Sequence, residues 1–495
     1  MTRGRLGFII REGEIRGDVL VPKYYDPEIE RDLAALTPTH DLVPLGDLIA
    51  EGAVQLRQGN YVGKIHYGTG TIPYIRTSDI ANWELRGSPK HGVSDAVAAV
   101  FRAKQSVAAD DVLLVHEGTY LIGSGCLLTA YDTDIIYQHH LARLRVLAPD
   151  SRLSGPLLMC ALLSEPVQRQ IRSKQFTADV IDSIVGRLPE VRLPLPKRPA
   201  RRVELTERAR ALFAERAEAR LQLAVLRRGL DTALAAGSVT ELLDQIADAP
   251  TAAGIHGVVG FLGSAYRAQH FLTREGGIRG DILLPRYYDP VAEDQLEAMR
   301  AHNDLRTVGD LVRDGIVELA TGDEVGKLAY GTGSIPFVRT SDLGNWELKQ
   351  DPKQRVSEAV YAQYAHKQGA AAGDILLVRD GTYLVGSSAM VTEEDLPFLF
   401  SGGLYRIRVR DRSRLDPYLL LALLNTQVAG RQMRNKQFTR DVIDTLGRRL
   451  EEVVLPVPKD AGVRAAVTEA MESLITRRVA LRAQVATLGA ELLRP

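Results

Sequence analysis

The chain carries one module written twice, and this limits the folds open to it more than any other feature. IRGDVLVPKYYDP from Ile15 returns as IRGDILLPRYYDP from Ile278, and GTGTIPYIRTSDIANWEL from Gly68 returns as GTGSIPFVRTSDLGNWEL from Gly331. Arg76 maps onto Arg339 with an offset of 263 residues, and SKQFTADVID around Lys174 maps onto NKQFTRDVID around Lys436 with an offset of 262. A period this long is a domain duplication, since solenoids repeat roughly every 20–50 residues. At 495 residues the chain is also too long for one growing hydrophobic core.

The same signals follow one another in each copy. A charged, helix-like stretch comes after YYDP (Glu28 to Leu36; Ala292 to His302), then strands rich in β-branched residues around IPYIRTSDI and IPFVRTSDL. DDVLLVHEGTYLIG and GDILLVRDGTYLVG read as strand, Gly turn, strand. One helix each is expected over PLLMCALLSEPVQRQI and PYLLLALLNTQVAGRQM, followed by a loop carrying KQFT and a Pro-punctuated extended segment. Each module is therefore α/β (α+β) in character.

After the Pro signal the period changes. Leu205, Ala209, Leu212, Arg216, Ala219, Leu223, Leu226 and Leu230 fall at alternating four- and three-residue steps, the a/d seam of a coiled coil. Val467, Met471, Leu474, Arg478, Leu481, Val485, Leu488 and Leu492 repeat the phase 262 residues on, with Arg478 matching Arg216. Two long helices, one per copy, are expected to pack together as a pair; the other reading is that each helix covers its own domain. A seam arginine would fix register or meet a carboxylate. The boundaries expected are a first module over 1–200, a helix over 201–236, a linker over 237–270, a second module over 271–458 and a helix over 459–495.

Chemistry can be tested by the residues it needs. Tyr61 to Ile65 (YVGKI) has the wrong Gly spacing for a phosphate loop, and Ile65 stands where a Ser or Thr would hold magnesium. No NPPY or DPPY tetrapeptide, HExxH or GxSxG motif occurs. His139 and His140 form a pair, but the second copy has Gly402 and Gly403 there, which argues against a shared catalytic role and for surface or packing histidines. Cys126 and Cys160 have no CxxC or Cys/His neighbourhood and are expected to be buried thiols, with no metal site and no cofactor in the chain. No apolar stretch approaches the roughly 20 residues of a membrane span, and MTRGRLGFIIREGE has no export signal, so a cytoplasmic address is expected.

Lys plus Arg and Asp plus Glu number 62 each, so nucleic-acid binding would depend on local basic faces, not bulk charge. Three doubled polar stretches supply candidates. Arg76, Thr77, Ser78, Asp79 and Asn82 recur as Arg339, Thr340, Ser341, Asp342 and Asn345. Arginine suits guanine, asparagine adenine, and hydroxyls phosphate, although the same residues also cap helices and close turns. The second stretch is the Gly turn, with His116, Thr119 and Tyr120 matched by Arg379, Thr382 and Tyr383. The third is the KQFT loop, where Lys174, Gln175 and Thr177 are matched by Lys436, Gln437 and Thr439; Lys and Gln would face DNA and Phe would anchor the loop. Lys64 and Tyr67, with Lys327 and Tyr330, would add backbone contacts.

In this order the YYDP segment, IPYIRTSDI and IPFVRTSDL, GDILLVRDGTYLVG and its partner, the KQFT loop, and LPLPK and LPVPK before a helix resemble the specificity subunit of a type I restriction-modification enzyme. The resemblance covers nearly the whole length, twice. It implies two target-recognition domains held apart by antiparallel helices, each domain reading half of a split site in double-stranded DNA. It further implies that the helices measure the gap and dock two methyltransferase subunits carrying the methyl donor, with restriction subunits able to join. The helix-pair seam is then carried by Leu212, Arg216, Leu223 and Leu226 against Leu474, Arg478, Val485 and Leu488. The alternatives are a standalone sequence-specific DNA-binding protein, a specificity factor of a related phage-defence system, and an enzyme with an unrecognised site.

Overall fold

The computed structural model describes the chain except residues 1–9, 11–12, 14, 17–18, 148–151, 178–180, 250–271, 273–276, 281, 382 and 441–442, and the side chains of 439, 440 and 443. The start of the chain, most of the linker expected over 237–270 and the candidate Thr382 lie outside the described residues. The described residues of Met1–Ala217 and Ala480–Pro495 make one compact unit, and those of Glu218–Ala253 and Ser264–Val479 another. Both mix helices with small sheets.

The first unit is organised by the apolar run VLLV. Strand Val112–Val115 is the third of four in an antiparallel sheet ordered Val54–Gln58, Leu141–Val146, Val112–Val115, Gly125–Leu127. Side chains alternate faces along a strand. Val112 and Leu114 accordingly join one buried cluster with Leu157, Leu158 and Leu162, while Leu113 and Val115 join another with Ile75 and Tyr137. A three-stranded sheet sets Ile72–Ile75 between Ile136–Tyr137, parallel, and His91–Val93, antiparallel. His40–Pro44 pairs antiparallel with Arg192–Pro196, so the end of the module closes on its beginning.

The second unit repeats the plan. Its sheet order is Val317–Thr321, Leu404–Val409, Ile375–Val378, Ser388–Met390, with Ile335–Val338 lying between Gln354–Val356 and Leu399–Phe400. Asn303–Thr307 closes on Val454–Pro458.

Each sheet contains a buried arginine that hydropathy alone would not place inside. Arg143, 1% exposed, donates to the carbonyl of Ser106 at 2.9 Å, where helix Asp95–Gln105 ends on a left-handed residue (φ 47°). Arg406 donates to the carbonyls of Gln368 and Gly369 at 3.0 and 3.1 Å. Each guanidinium thus satisfies carbonyls left open at a helix C-terminus.

Two local expectations change. Gly118 does not turn the hairpin: the strand returning beside Val112–Val115 is Gly125–Leu127, and Glu117–Gly118 instead pairs with Asp182–Ser183. The reversal falls at Leu121 to Ser124, closed by the Ser124 amide to the Leu121 carbonyl at 2.9 Å. Nor is there one helix after the sheet. Gly155–Leu163 and Glu165–Ser173 are separate: Ser164 takes an extended conformation, and Pro166, tolerated in the first turn of the second helix, has no amide to continue the first helix onto the Leu162 carbonyl and would clash with it. The second copy breaks between Pro417–Leu424 and Gln427–Asn435 without proline, with the Thr426 side chain capping the Ala429 amide.

The long helices are Pro199–Ala236 and Ala461–Leu492. In the first unit Leu205, Ala209, Leu212 and Phe213 share one buried cluster with Leu481, Val485, Leu488 and Leu492, and with the module's own Leu157 and Leu158. In the second, Leu223, Leu226 and Leu230 share a cluster with Val467, Met471 and Leu474, and with Leu419 and Leu420. Both seam arginines meet carboxylates: Arg216 bonds Glu84 at 3.1 Å and Arg478 bonds Glu347 at 2.8 Å, all four deeply buried. Cys126 and Cys160 are buried thiols outside any disulfide. Among the described residues no helix is long and apolar enough to cross a membrane.

Candidate nucleic-acid interface

Glycine geometry sets the loop that carries Lys64. A Cβ on Gly70 would lie 2.5 Å from the carbonyl oxygen of Val93, and one on Gly333 equally close to that of Val356, so the GTG segment needs glycine to lie against the neighbouring strand. Beyond it Lys64 and Lys327 are exposed at the start of single 3-10 turns. Tyr67 is half-buried and stacks on His91 with centroids 4.1 Å apart, while Tyr330 packs against Phe337 at 5.6 Å.

The RTSD stretch ends the strand on a 3-10 turn whose aspartate is structural in placement. Asp79 is fully buried and accepts the amides of Arg76 at 2.9 Å and Lys90 at 3.2 Å; Asp342 accepts the Arg339 amide at 2.9 Å. Asn82 and Trp83 have φ of 49° and 63°, and Asn345 and Trp346 of 52° and 63°. These pairs are the two-residue turns of the hairpins Ile80–Ala81/Glu84–Leu85 and Leu343–Gly344/Glu347–Leu348, where asparagine tolerates the left-handed conformation. Arg76, Thr77 and Ser78, and Arg339, Thr340 and Ser341, remain half-exposed at the turn. Arg76 Nε lies 3.4 Å from Gln138 Oε1 and its Nη1 lies 3.3 Å from His91 Nε2.

The other two stretches come together. Gln175 donates to the Thr119 carbonyl, and the Ile184 amide donates to the His116 carbonyl at 2.9 Å. In the second module the Gly381 amide donates to the Asp444 carbonyl at 2.9 Å, and Thr445 Oγ1 donates to Asp380 at 2.6 Å. Tyr120 and Tyr383 are exposed, and so is Thr177. His116 is buried with Nε2 2.8 Å from the His139 carbonyl, whereas Arg379 is half-exposed and pairs with Asp380 at 2.8 Å. Gly403 ties this stretch to the RTSD turn: a Cβ there would lie 2.9 Å from Thr340 Cγ2 and 3.8 Å from Asp380 Cβ.

The KQFT lysines turn inward. Lys174 Nζ sits 2.7 Å from Glu190 and 4.6 Å from the Tyr24 ring centroid, and Lys436 sits 3.2 Å from Glu452 and 4.4 Å from that of Tyr287. Gln437 is also buried. Phe176 and Phe438 are half-buried beneath Arg187 and Arg449, whose guanidinium carbons lie 3.9 and 3.8 Å from the ring centroids. The lysines thus brace the YYDP segment against the KQFT loop.

His91 and Gln138, which hold Arg76, carry no doubled signal: the second copy has Gln354 and Ser401 in their places. Burial, with Arg76 and Lys90 nearby, pushes the His91 imidazole down to about 4. The ring therefore takes up protons more readily in the unfolded chain than in place. Acidification from about 6.5 to 4 is expected to weaken the first unit as His91 charges beside Arg76. Unfolding followed at Trp83 should show that part of the pH dependence disappear in His91→Gln, which imports the residue of the second copy. An identical pH profile in the variant would contradict the assignment.

No family model matches the chain, and no curated protein matches it at the sequence level. Solved structures similar to it include a type I restriction-modification S subunit from M. genitalium, 12% identical over 92% of this chain and 96% of that one, with TM-score 0.33. Another comes from work on complex assembly and conformational transition of the type I restriction-modification system, 15% identical over 91% and 95%, with TM-score 0.26. A third is the HsdS subunit from Thermoanaerobacter tengcongensis, 16% identical over 92% and 94%, with TM-score 0.24.

Proposed function

We propose that the chain is a non-catalytic DNA-specificity subunit that reads a bipartite site and directs partner methyltransferase subunits to it, with restriction subunits able to join. One observation carries the reading: each module carries an exposed lysine, a half-exposed RTSD-type turn and an exposed tyrosine, the same set twice in one chain. Lysine and backbone groups suit phosphate, and the arginine turn suits base edges. The contact set narrows on this reading to Lys64, Arg76, Thr77, Ser78 and Tyr120, with Lys327, Arg339, Thr340, Ser341 and Tyr383 in the second module. The buried Asp79, Asp342, Lys174 and Lys436 shape the loops from behind.

The long helices serve as an antiparallel coiled-coil spacer in this account, and the duplication gives a pseudo-twofold body suited to two copies of a methyltransferase subunit. The methyl donor belongs to that partner. The chain mixed with a partner methyltransferase is expected to give sequence-specific methylation of double-stranded DNA, whereas neither protein alone does so. Methylation or cleavage by the purified chain alone would overturn the proposal.

A further inference from the structure

The first module carries a polar cluster that its sister lacks. Gln138 to Leu141 form a turn closed by the Leu141 amide to the Gln138 carbonyl at 2.9 Å, with His139 and His140 at its corners. Ser401 to Leu404 form the corresponding turn, closed at 3.0 Å, with Gly402 and Gly403 at the corners. The turn itself therefore does not require imidazoles. Opposite it, Glu117 Oε1 lies 3.1 Å from His140 Nε2, and one donor atom from each of Glu117, His139 and His140 lies within 4.8 Å of the other two. The imidazole rings are 4.0 Å apart and inclined at 70°. His139 Nδ1 is buried with no hydrogen-bond partner.

The backbone of this turn is held in place. The His116 amide donates to the His140 carbonyl at 3.1 Å, and His116 Nε2 lies 2.8 Å from the His139 carbonyl. The second module fills the corresponding region differently: Arg379 supplies a cation directly to Asp380 at 2.8 Å.

We propose that Glu117, His139 and His140 form a site for one divalent transition-metal ion of the Zn²⁺, Co²⁺ and Ni²⁺ class, present in the first module only. Two imidazole nitrogens and a carboxylate oxygen suit these borderline ions better than Mg²⁺ or Ca²⁺, which prefer oxygen ligands. Donors around tetrahedral zinc sit about 3.3 Å apart, so donors now within 4.8 Å of one another would draw together by up to about 1.5 Å on binding. Three protein ligands leave a further position open to water. The inference does not depend on DNA recognition.

Titration of the full, tag-free chain with Zn²⁺ against a chromophoric chelator tests it, with Co²⁺ absorption in the visible as a second readout. One equivalent per chain is expected. The double variant His139→Gly/His140→Gly, which imports the corner of the second module, should keep its circular dichroism and lose the site. Affinity should fall by more than the roughly 10–100-fold that accompanies loss of an outer-shell partner. His140→Asn should weaken binding, and Asp380→Asn should leave it unchanged. Wild-type binding no tighter than that of the double variant, or loss of the equivalent in Asp380→Asn, would overturn the proposal.

Discussion

Arg478→Met should destabilise the second unit by about 3–5 kcal/mol, the cost of leaving one member of a buried ion pair without its partner. Arg478 and Glu347 have side chains 0% and 1% exposed and bond at 2.8 Å, so Glu347 has no solvent to turn to when the guanidinium is removed. Arg216 and Glu84, 1% and 6% exposed, make the same pair in the first unit at 3.1 Å. Each glutamate follows its unit's single tryptophan, Trp83 or Trp346, so fluorescence reports the hairpin directly. Urea unfolding of Arg478→Met in a Trp83→Phe background is the measurement. Adding Glu347→Gln should recover much of the loss, because it removes the stranded charge. A loss under about 1 kcal/mol would mean that the pair is no more than a surface bridge in its energetics. The functional consequence is positional: the hairpin follows the turn bearing Arg339, so this pair anchors a candidate reading loop to a long helix.

The duplication, the two long helices and the mixed helix and strand content could be read from the sequence because they rest on period and repetition. VLLV reads as a buried strand from its composition, and the phase of Leu205 to Leu230 reads as one helix face. What the sequence left open involves pairs of residues distant along the chain. Arg143 looks like an exposed charge in LARLRV until helix Asp95–Gln105 brings two carbonyls to it. Asp79 and Asn82 have the residue types of a base-reading loop, yet the same types close turns, and only the fold shows the amides that Asp79 accepts. Lys174 and Lys436 are doubled, which suggested a surface role. Their doubling follows equally from Glu190 and Glu452, carboxylates 16 residues further on in both copies. Gly118 was expected in a hairpin turn because a Gly between two apolar runs favours that position. The pairing of Glu117 with Ser183 could not be seen locally.

On the proposed reading, the differences between the copies bear most on recognition. Arg76 has His91 and Gln138 beside it, whereas Arg339 has Gln354 and Ser401 at those sequence positions. Two equal arginines in unequal surroundings are suited to related but distinct half-sites. A bidentate arginine contact is worth about 1–3 kcal/mol of discrimination against a wrong base. At that strength Arg76→Ala should relax roughly 5- to 150-fold the preference at one position of one half-site, and Arg339→Ala should do so at the other.

The most direct test is long-read methylome sequencing of cells carrying the chain with a methyltransferase partner, compared among wild type, Arg76→Ala and Arg339→Ala. The account predicts a split motif for the wild type and loss of stringency in a different half for each variant. A motif unchanged in both variants, or one contiguous motif blurred identically by either, would contradict two modules reading separate halves.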